Sequence, residues 1–322
     1  MEKIKIGVLG ASDIAFRKFL PALLKEQNFK FVALASHSPQ KTVKFSERFN
    51  AAIFDDYDAI IENKDIDAIY MPLPPAYHFQ YAKKALECGK HIFLEKPLTL
   101  SHQDGKTLVS LAQKKGLALM ENYAFLYHPQ LQAIKNVINS DEIGSVRFVR
   151  CSFCFPFRGL EDFRYNKSLG GGALFDCGVY TIKAASYFLG SETKVKAASL
   201  FYENAFEVDI FGSGFLDNEI SQTAQIAFGM DNIYKCEMEI YGSKGNLFTG
   251  RIFTAPEDLK IQIKIDFPKE QRILEIEPQD QFQLSIRHFA ECIMNDNIRN
   301  EEYKNILLQS ALTQDFLNLG GK

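Results

Sequence analysis

Gly7-Val8-Leu9-Gly10-Ala11-Ser12-Asp13-Ile14-Ala15 is the stretch whose reading decides the fold. It closes an apolar run, Lys3–Leu9, that reads as a buried strand. It opens a helical pattern, Ile14–Lys25, with Ile14, Leu20, Leu23 and Leu24 on one side. Strand, glycine turn and helix in this order are what a dinucleotide-binding fold uses to bring backbone close to a pyrophosphate and to aim a helix N-terminus at it. The glycine triplet of such loops would fall at positions 10, 12 and 15. Here the residues are Gly10, Ser12 and Ala15, so the motif is degraded and a plain glycine turn competes with it.

Working outward, the same alternation continues. Phe31–Ala35 reads as a strand, and Ser38-Pro39 opens a helix through Arg48 in N-cap and N1 positions. Ala52–Phe54, Ile66–Met71, His91–Glu95 and Leu117–Glu121 read as further strands. Tyr57–Glu62, Tyr77–Cys88 and Ser101–Lys115 read as the helices between them. Strands alternating with helices of this length predict an α/β, doubly wound parallel sheet over residues 1–122. After Asn122 the pattern changes. A helix at Pro129–Ile138 precedes period-two strands at Ser145–Phe155, Thr193–Tyr202, Glu219–Ala227 and Tyr234–Tyr241, with two more at Leu259–Phe267 and Arg272–Ile276. Gly170–Leu189 interrupts them as a helical segment, and Gln281–Met294 and Glu301–Leu317 close the chain as helices. Residues 123–322 are therefore expected to form an α+β second domain.

Length and charge bound the function. A chain of 322 residues accommodates two cores, and a net charge of −3 gives no reason to expect a nucleic-acid or anionic-membrane partner. No apolar stretch approaches the ~20 residues that span a bilayer, and no secretory signal is read at the N-terminus. Of six cysteines, only Cys151 and Cys154 have C-x-x-C spacing, and no second cysteine or histidine pair completes a metal site with them. No metal is expected; reduced thiols on a strand of a cytoplasmic protein is the reading adopted.

Three places carry chemistry. The second strand ends Ala35-Ser36-His37-Ser38, without the acidic residue that holds ribose hydroxyls in an NAD site. Ser36 and His37, with Lys41 a helical turn further on, suit a 2′-phosphate and favour NADP over NAD; a surface loop capped by His37 is the alternative. Glu95-Lys96-Pro97 ends a strand at the carboxyl edge of the sheet, outside which ligands of open α/β folds sit. A lysine there can hold a carbonyl oxygen, stabilise charge developing on it during hydride transfer, or donate a proton. Gly170-Gly171-Gly172-Ala173-Leu174-Phe175-Asp176-Cys177-Gly178-Val179-Tyr180 leads a glycine run into a helix on which Asp176 and Tyr180 share a face. A tyrosine hydroxyl beside an ammonium suits protonation of a ketone oxygen; a buried helix with a structural tyrosine is the alternative. Phe153, Phe155 and Phe157 either stack on a base or sugar or pack a core.

In order and spacing, the glycine loop, Glu95-Lys96-Pro97 and Asp176–Tyr180 resemble the glucose–fructose oxidoreductase and inositol dehydrogenase family (Gfo/Idh/MocA), over essentially the whole chain. The resemblance implies an N-terminal Rossmann domain. It also implies a C-terminal substrate-binding and oligomerisation domain on a large open, mainly antiparallel sheet, giving a homodimer or homotetramer. It implies that Gly10, Ala11, Ser12, Asp13, Ile14, Ser36, His37, Glu95, Lys96 and Asn122 bind the cofactor, with Lys96 by the nicotinamide. It implies further that Tyr180 contacts the reacting oxygen, with Asp176 as a neighbouring polar contact.

A narrower resemblance is to bacterial nucleotide-sugar 3-ketoreductases of deoxysugar biosynthesis. It rests on Ala11–Ala15 with Arg17 and Leu20-Pro21, Met71-Pro72-Leu73-Pro74 with His78, Met120–Tyr123, Phe163-Arg164-Tyr165, Phe228-Gly229-Met230 with Tyr234, and Arg251–Thr254. It implies that Pro72 and Leu73 line the cofactor and Arg164 approaches it, that His78 reaches the substrate, and that Tyr165, Tyr234 and Thr254 touch the nucleotide-sugar. Ser12 and His37 depart from it, standing where these proteins often have alanine and arginine. The expectation is therefore NADPH-dependent reduction of a 3-keto nucleotide-linked deoxysugar, with Lys96 and Tyr180 polarising and protonating the oxygen. The alternatives are an NADP-dependent dehydrogenase of a free aldose or diol, and a cofactor-binding regulatory protein without turnover.

Overall fold

The computed structural model describes residues 2–203, 205–220 and 222–321. The chain divides into two compact units: the first holds the residues up to Tyr123 together with Phe282–Leu307, the second Ala124–Gln281 together with the residues from Leu308 on.

The first unit is built on six parallel strands, β1 (Ile4–Leu9), β2 (Phe29–Ala35), β3 (Ala52–Phe54), β4 (Ala68–Met71), β5 (His91–Glu95) and β6 (Leu119–Asn122), in the order β3-β2-β1-β4-β5-β6. The connections contain α1 (Leu20–Leu23), α2 (Pro39–Phe49), α3 (Tyr57–Ile61), α4 (His78–Glu87) and α5 (His102–Lys115). Central strands buried on both faces need unbroken apolar runs, and all of β4 and Ile92–Leu94 of β5 are buried. Strand order reverses between β1 and β4, which is where such sheets open a crevice at their carboxyl ends.

The helix after β1 is shorter than its periodicity predicts. Ala15–Phe19 is a π-helical turn, in which Leu20 N–H donates to Ala15 O, and α1 ends at Leu23. Pro21 has no N–H to give Arg17 O, so the ordinary α pattern cannot run through this segment, and a wider turn takes up the mismatch.

The second unit carries an eight-stranded sheet of β7 (Val146–Cys154), β8 (Lys194–Tyr202), β9 (Asp209–Asp217), β10 (Thr223–Gly229), β11 (Lys235–Gly242), β12 (Asn246–Thr249), β13 (Ile261–Asp266) and β14 (Gln271–Ile276). Their order is β14-β13-β12-β11-β7-β10-β9-β8; only the β7–β10 pair is parallel. Two helices, α6 (Pro129–Asn139) and α7 (Val179–Leu189), belong to this unit, and α7 packs on β7 and β10. Alternation is clean in β13, where Ile261, Ile263 and Ile265 are buried and the residues between them exposed. Strands β9 and β12 were not expected from the sequence. In β9, Gly212 and Gly214 blur the hydrophobic alternation because aromatic rings need the room: a Cβ at Gly212 would stand 2.7 Å from the Phe228 ring, and one at Gly214 would collide with Phe316. Cys151 and Cys154, three apart on β7, point to opposite faces; Cys151 is buried, and none of the six cysteines is in a disulfide.

The closing helices, α8 (Gln281–Met294) and α9 (Asp296–Gly320), correct the expected division at residue 122. Most of α8 and the first half of α9 belong to the first unit. Phe289 stacks on Phe93 with ring centroids 5.1 Å apart and on Phe29 at 6.1 Å. Ser285 Oγ donates to Asn122 Oδ1 at 2.9 Å, and Tyr303 OH to Leu117 O at 2.5 Å. The amphipathic pattern of α8 shows an apolar face but cannot show which sheet covers it. Among the described residues no helix is long and apolar enough to cross a membrane.

Candidate active site

In the first unit, the expected cofactor residues come together at the carboxyl ends of five strands. Gly10 follows β1, Ser36 and His37 follow β2, Pro72 and Leu73 follow β4, Glu95 ends β5 with Lys96 next to it, and Asn122 ends β6. Gly10 has φ +111°, a region L-residues rarely adopt, and a Cβ there would stand 2.9 Å from Leu73 Cδ2. Only glycine keeps the β1 and β4 loops this close, so the first glycine of the motif does its work even though the other two are replaced. Ser12 Oγ accepts from Ala15 N at 3.2 Å and ties the turn to the π-helical segment. Asp13 pairs with Arg17 at the surface; Ala11 is buried and Ile14 half-buried.

At the end of β2, Ser36 is buried and its Oγ accepts from Ser38 N at 3.2 Å. His37 is exposed. Its Nδ1 donates to Asp55 O at 2.8 Å and its ring lies 4.2 Å from that of Tyr57, so the imidazole is held in place. An exposed imidazole and a hydroxyl at this strand end, with no carboxylate on either residue, fit the 2′-phosphate of NADP better than a bare ribose. The donor set therefore fits NADP, with Gly10–Ile14, Pro72 and Leu73 at the dinucleotide and Ser36 and His37 at the 2′-phosphate.

Lys96 is set between anchored neighbours. Glu95 Oε1 accepts from Tyr70 OH and from Asn122 Nδ2, both at 2.7 Å. Burial raises the Glu95 pKa above the usual carboxylate range, against these hydrogen bonds and the charge of Lys96. On the other side the Lys96–Pro97 bond is cis, and Leu98 N donates to Glu121 Oε1 at 2.8 Å. Tyr70 was missed by sequence reading, and Glu121 was read only within Met120–Tyr123, with no role of its own. Each lies inside a strand, and nothing local distinguishes it from core or solvent-facing residues.

His78 is a correction. It was expected to reach the substrate, but it is fully buried, with Nδ1 2.8 Å from Pro97 O and Nε2 2.7 Å from Leu73 O. The ring ties the β4 loop to the β5 loop. Burial lowers its pKa despite these carbonyls, and a neutral imidazole has one N–H for the two of them.

In the second unit, the glycine run is required by close packing. Gly172 N donates to Arg164 O at 2.8 Å, and a Cβ at Gly171 would collide with that same carbonyl. Leu174–Gly178 is a second π-helical turn, and α7 follows it with Tyr180 in its first turn. Leu174 N donates to Asp209 Oδ2 at 2.6 Å, and burial pushes the Asp209 pKa up to about 6. Asp209 is another residue the sequence did not flag, because it lies on the unrecognised β9. Tyr180 is ringed by Phe153, Phe125 and Phe253, with centroids at 5.2, 5.9 and 5.8 Å. Phe153 and the buried Phe155 are thereby core residues rather than stacking platforms, whereas Phe157 is exposed.

Arg164 and Asp176 meet each other. Arg164 Nε donates to Asp176 Oδ2 at 2.8 Å, and its Nη1 to Asp162 Oδ1 at 3.0 Å. Burial opposes the guanidinium charge, but the two carboxylates outweigh it and raise the Arg164 pKa. Tyr165, expected at the substrate, is corrected: it is buried and its OH donates to Met230 O at 2.7 Å while accepting from Arg158 N. Tyr234 and Thr254 stay on the accessible side, with their hydroxyl oxygens 2.5 Å apart.

Known proteins resemble this chain along nearly its whole length. An oxidoreductase family model with an NAD-binding Rossmann fold (GFO/IDH/MocA) matches residues 4–123, and the GFO/IDH/MocA C-terminal domain model matches residues 131–248. The chain belongs to the GFO/IDH/MocA oxidoreductase family. A dTDP-3,4-didehydro-2,6-dideoxy-alpha-D-glucose 3-reductase of Actinomadura kijaniata is 37% identical over 96% of this chain and 93% of its own length. A protein of the same name from Streptomyces violaceoruber is 39% identical over 90% and 85%. Among solved structures, a 3-ketoreductase from Actinomadura kijaniata in complex with NADP and TDP-benzene superposes with a TM-score of 0.96 at 35% identity, covering 99% of this chain and 98% of that one. An aldose-aldose oxidoreductase from Caulobacter crescentus, 22% identical with a TM-score of 0.86 and 98% coverage of both chains, shares the fold.

Proposed function

We propose that this family member is an NADPH-dependent 3-ketoreductase that reduces the carbon-3 ketone of a nucleotide-linked deoxysugar. The observation that carries the reading is the near-full-length likeness to the 3-ketoreductase solved with NADP and TDP-benzene. The first unit adds a loop set suited to NADP, and the second a tyrosine held by three aromatic rings. When bound, NADPH supplies the reducing equivalent. Lys96 holds and polarises the ketone oxygen, which makes negative charge on it less costly as it develops. Tyr180 with Lys96 delivers the proton to that oxygen. Glu95, anchored by Tyr70 and Asn122, and Leu98, anchored by Glu121, keep Lys96 from drifting.

The protein acts in the cytoplasm, where cysteines outside any disulfide stay reduced. It is a homodimer or homotetramer through the eight-stranded sheet. Phe201 and Phe211 stack on that sheet while exposed, beside a basin of about 450 Å³ lined by Arg150, Ser152, Ala197, Ser199, Ser213 and Ala227. The functional test is NADPH oxidation with dTDP-, GDP- and UDP-linked 3-ketosugars. Turnover with one of them is expected, and silence with all three removes this substrate class.

A further inference from the structure

We propose that His288, Cys292 and Glu302 form a zinc(II) site that fastens α8 to α9, independently of the reaction proposed above. His288 and Cys292 are four apart on α8 and so share one face of that helix, and Glu302 meets them from α9. All three belong to the first unit. One ligand atom from each lies within 4.8 Å of the other two. A tetrahedral ion with bonds of about 2.0–2.3 Å holds its ligand atoms about 3.5 Å apart, so small side-chain rotations close the cage. Cys292 is fully buried, while His288 and Glu302 are half-buried, which puts the cluster just beneath the surface and within reach of an ion.

The histidine ring is already oriented as a metal ligand is. Its Nε2 lies 3.0 Å from Glu302 Oε1, and its Nδ1 3.3 Å from Glu291 Oε2. With Nδ1–H donating to Glu291, the Nε2 lone pair turns toward Glu302. An outer carboxylate on the far nitrogen fixes the tautomer and makes the ligating nitrogen more basic. In the absence of an ion the same geometry suits an imidazolium between two glutamates: burial opposes its charge, but Glu302 and Glu291 outweigh burial and raise the pKa. That pairing accounts for the two carboxylates but not for a thiol beside them, which burial and the same glutamates keep protonated.

Imidazole nitrogen, thiolate sulfur and carboxylate oxygen together form a borderline-soft donor set that selects zinc over magnesium or calcium, whose sites are built of oxygens. Binding forms bonds from the ion to Nε2, Sγ and a Glu302 oxygen. The thiol proton and any proton on Nε2 pass to solvent, and nothing is oxidised or reduced. The thiolate and Glu302 balance the two charges of the ion. Arg299 lies close by, its Nη1 donating to Cys292 O at 3.4 Å, but its charge is offset by Asp296. The ion would fix the part of α8 whose Phe289 stacks on Phe93 and whose Ser285 donates to Asn122.

The test uses the full-length chain, stripped with a chelator and kept reduced, titrated with zinc chloride by calorimetry and with cobalt chloride by absorption. One zinc per chain is expected, with a Kd of about 1 μM or below, unchanged by excess magnesium chloride. The cobalt form should show a thiolate-to-metal charge-transfer band. His288→Gln and Cys292→Ala should each weaken zinc binding by about 100-fold or more, and Glu291→Gln by about 10-fold with the cobalt band kept. Cys88→Ser removes the exposed cysteine and should leave both readouts as in wild type. His288→Gln, at a half-buried position, carries the test if Cys292→Ala does not fold. A wild-type chain that binds no zinc, a cobalt spectrum without the thiolate band, or full zinc affinity in His288→Gln overturns the site.

Discussion

Arg164 and Asp176 form one ion pair, 2.8 Å from Nε to Oδ2, with both side chains largely buried. In the sequence they stand 12 residues apart with separate expected roles, one at the cofactor and one near the reacting oxygen. Together with Asp162 they brace the glycine run that leads to Tyr180. Arg164→Ala removes the cation that pairs with both carboxylates and should cost about 3–5 kcal/mol, whereas Asp176→Asn leaves Arg164 with Asp162 and should cost about 1–2 kcal/mol. Urea denaturation of the full chain measures both. Equal losses would show that the cation is not shared.

Lys96→Ala and Tyr180→Phe should each lower kcat by about 10²- to 10⁴-fold. Both should leave dTDP binding close to wild type. Steady-state kinetics with the competent 3-ketosugar, paired with titration of dTDP, separates this outcome from a general loss of binding.

His78 divides the sequence expectation from the structure. If it contacted substrate, His78→Ala would raise KM for the sugar. Because His78 is buried between Leu73 O and Pro97 O, the substitution should instead lower stability by about 2–4 kcal/mol through one carbonyl left without its donor and a cavity. KM for NADPH should rise more than KM for the sugar, because Leu73 and Lys96 lose their common support.

His91 and His128, like the buried His78, contribute to the acid limb of stability. Burial lowers the pKa of His91 and of His128 to about 4; Nδ1 of His91 accepts from Ala118 N, and Nδ1 of His128 from Gln130 N. Folded imidazoles with depressed pKa bind fewer protons than unfolded ones. The stability they contribute is present above about pH 6.5 and is lost as pH falls through about 4. The loss is up to about 3 kcal/mol for each ring. Chemical denaturation at pH 7 and pH 4.5 should show a smaller difference for His128→Asn than for wild type.

Asp209 works in the opposite direction. Burial raises its folded pKa to about 6, so its favourable contribution is complete below the unfolded value near 4 and is lost as pH rises through about 6. Asp209→Asn keeps an oxygen for Leu174 N and should gain up to about 3 kcal/mol relative to wild type at pH 8, with little gain at pH 4. Matched denaturation curves at the two pH values decide it; a gain independent of pH would point to packing alone.

Much of the first unit was legible because its information is local. Strands β4 and β5 are buried apolar runs, α2 opens at Ser38-Pro39 and α5 on the Ser101 cap, and the candidate site lies where consecutive strands end. Gly10, Lys96 and Tyr180 could be singled out from neighbours in the chain. The second unit was harder to read. In β9 the aromatic rings of Phe228 and Phe316 take the space that larger side chains would fill, so its period-two signal is weak.

By itself the sequence determined the alternation of strands and helices, the glycine turn, and which residue types stand at the strand ends. Hydrophobic periodicity and turn chemistry act over a few residues and need no partner to be read. Only the tertiary structure decided that α8 covers Phe29 and Phe93, that Glu95 is held by Tyr70 and Asn122, that Arg164 closes on Asp176, and that His78 and Tyr165 face inward. Each is a choice of partner. A buried polar group must find one, but its own stretch of chain does not say which distant residue supplies it.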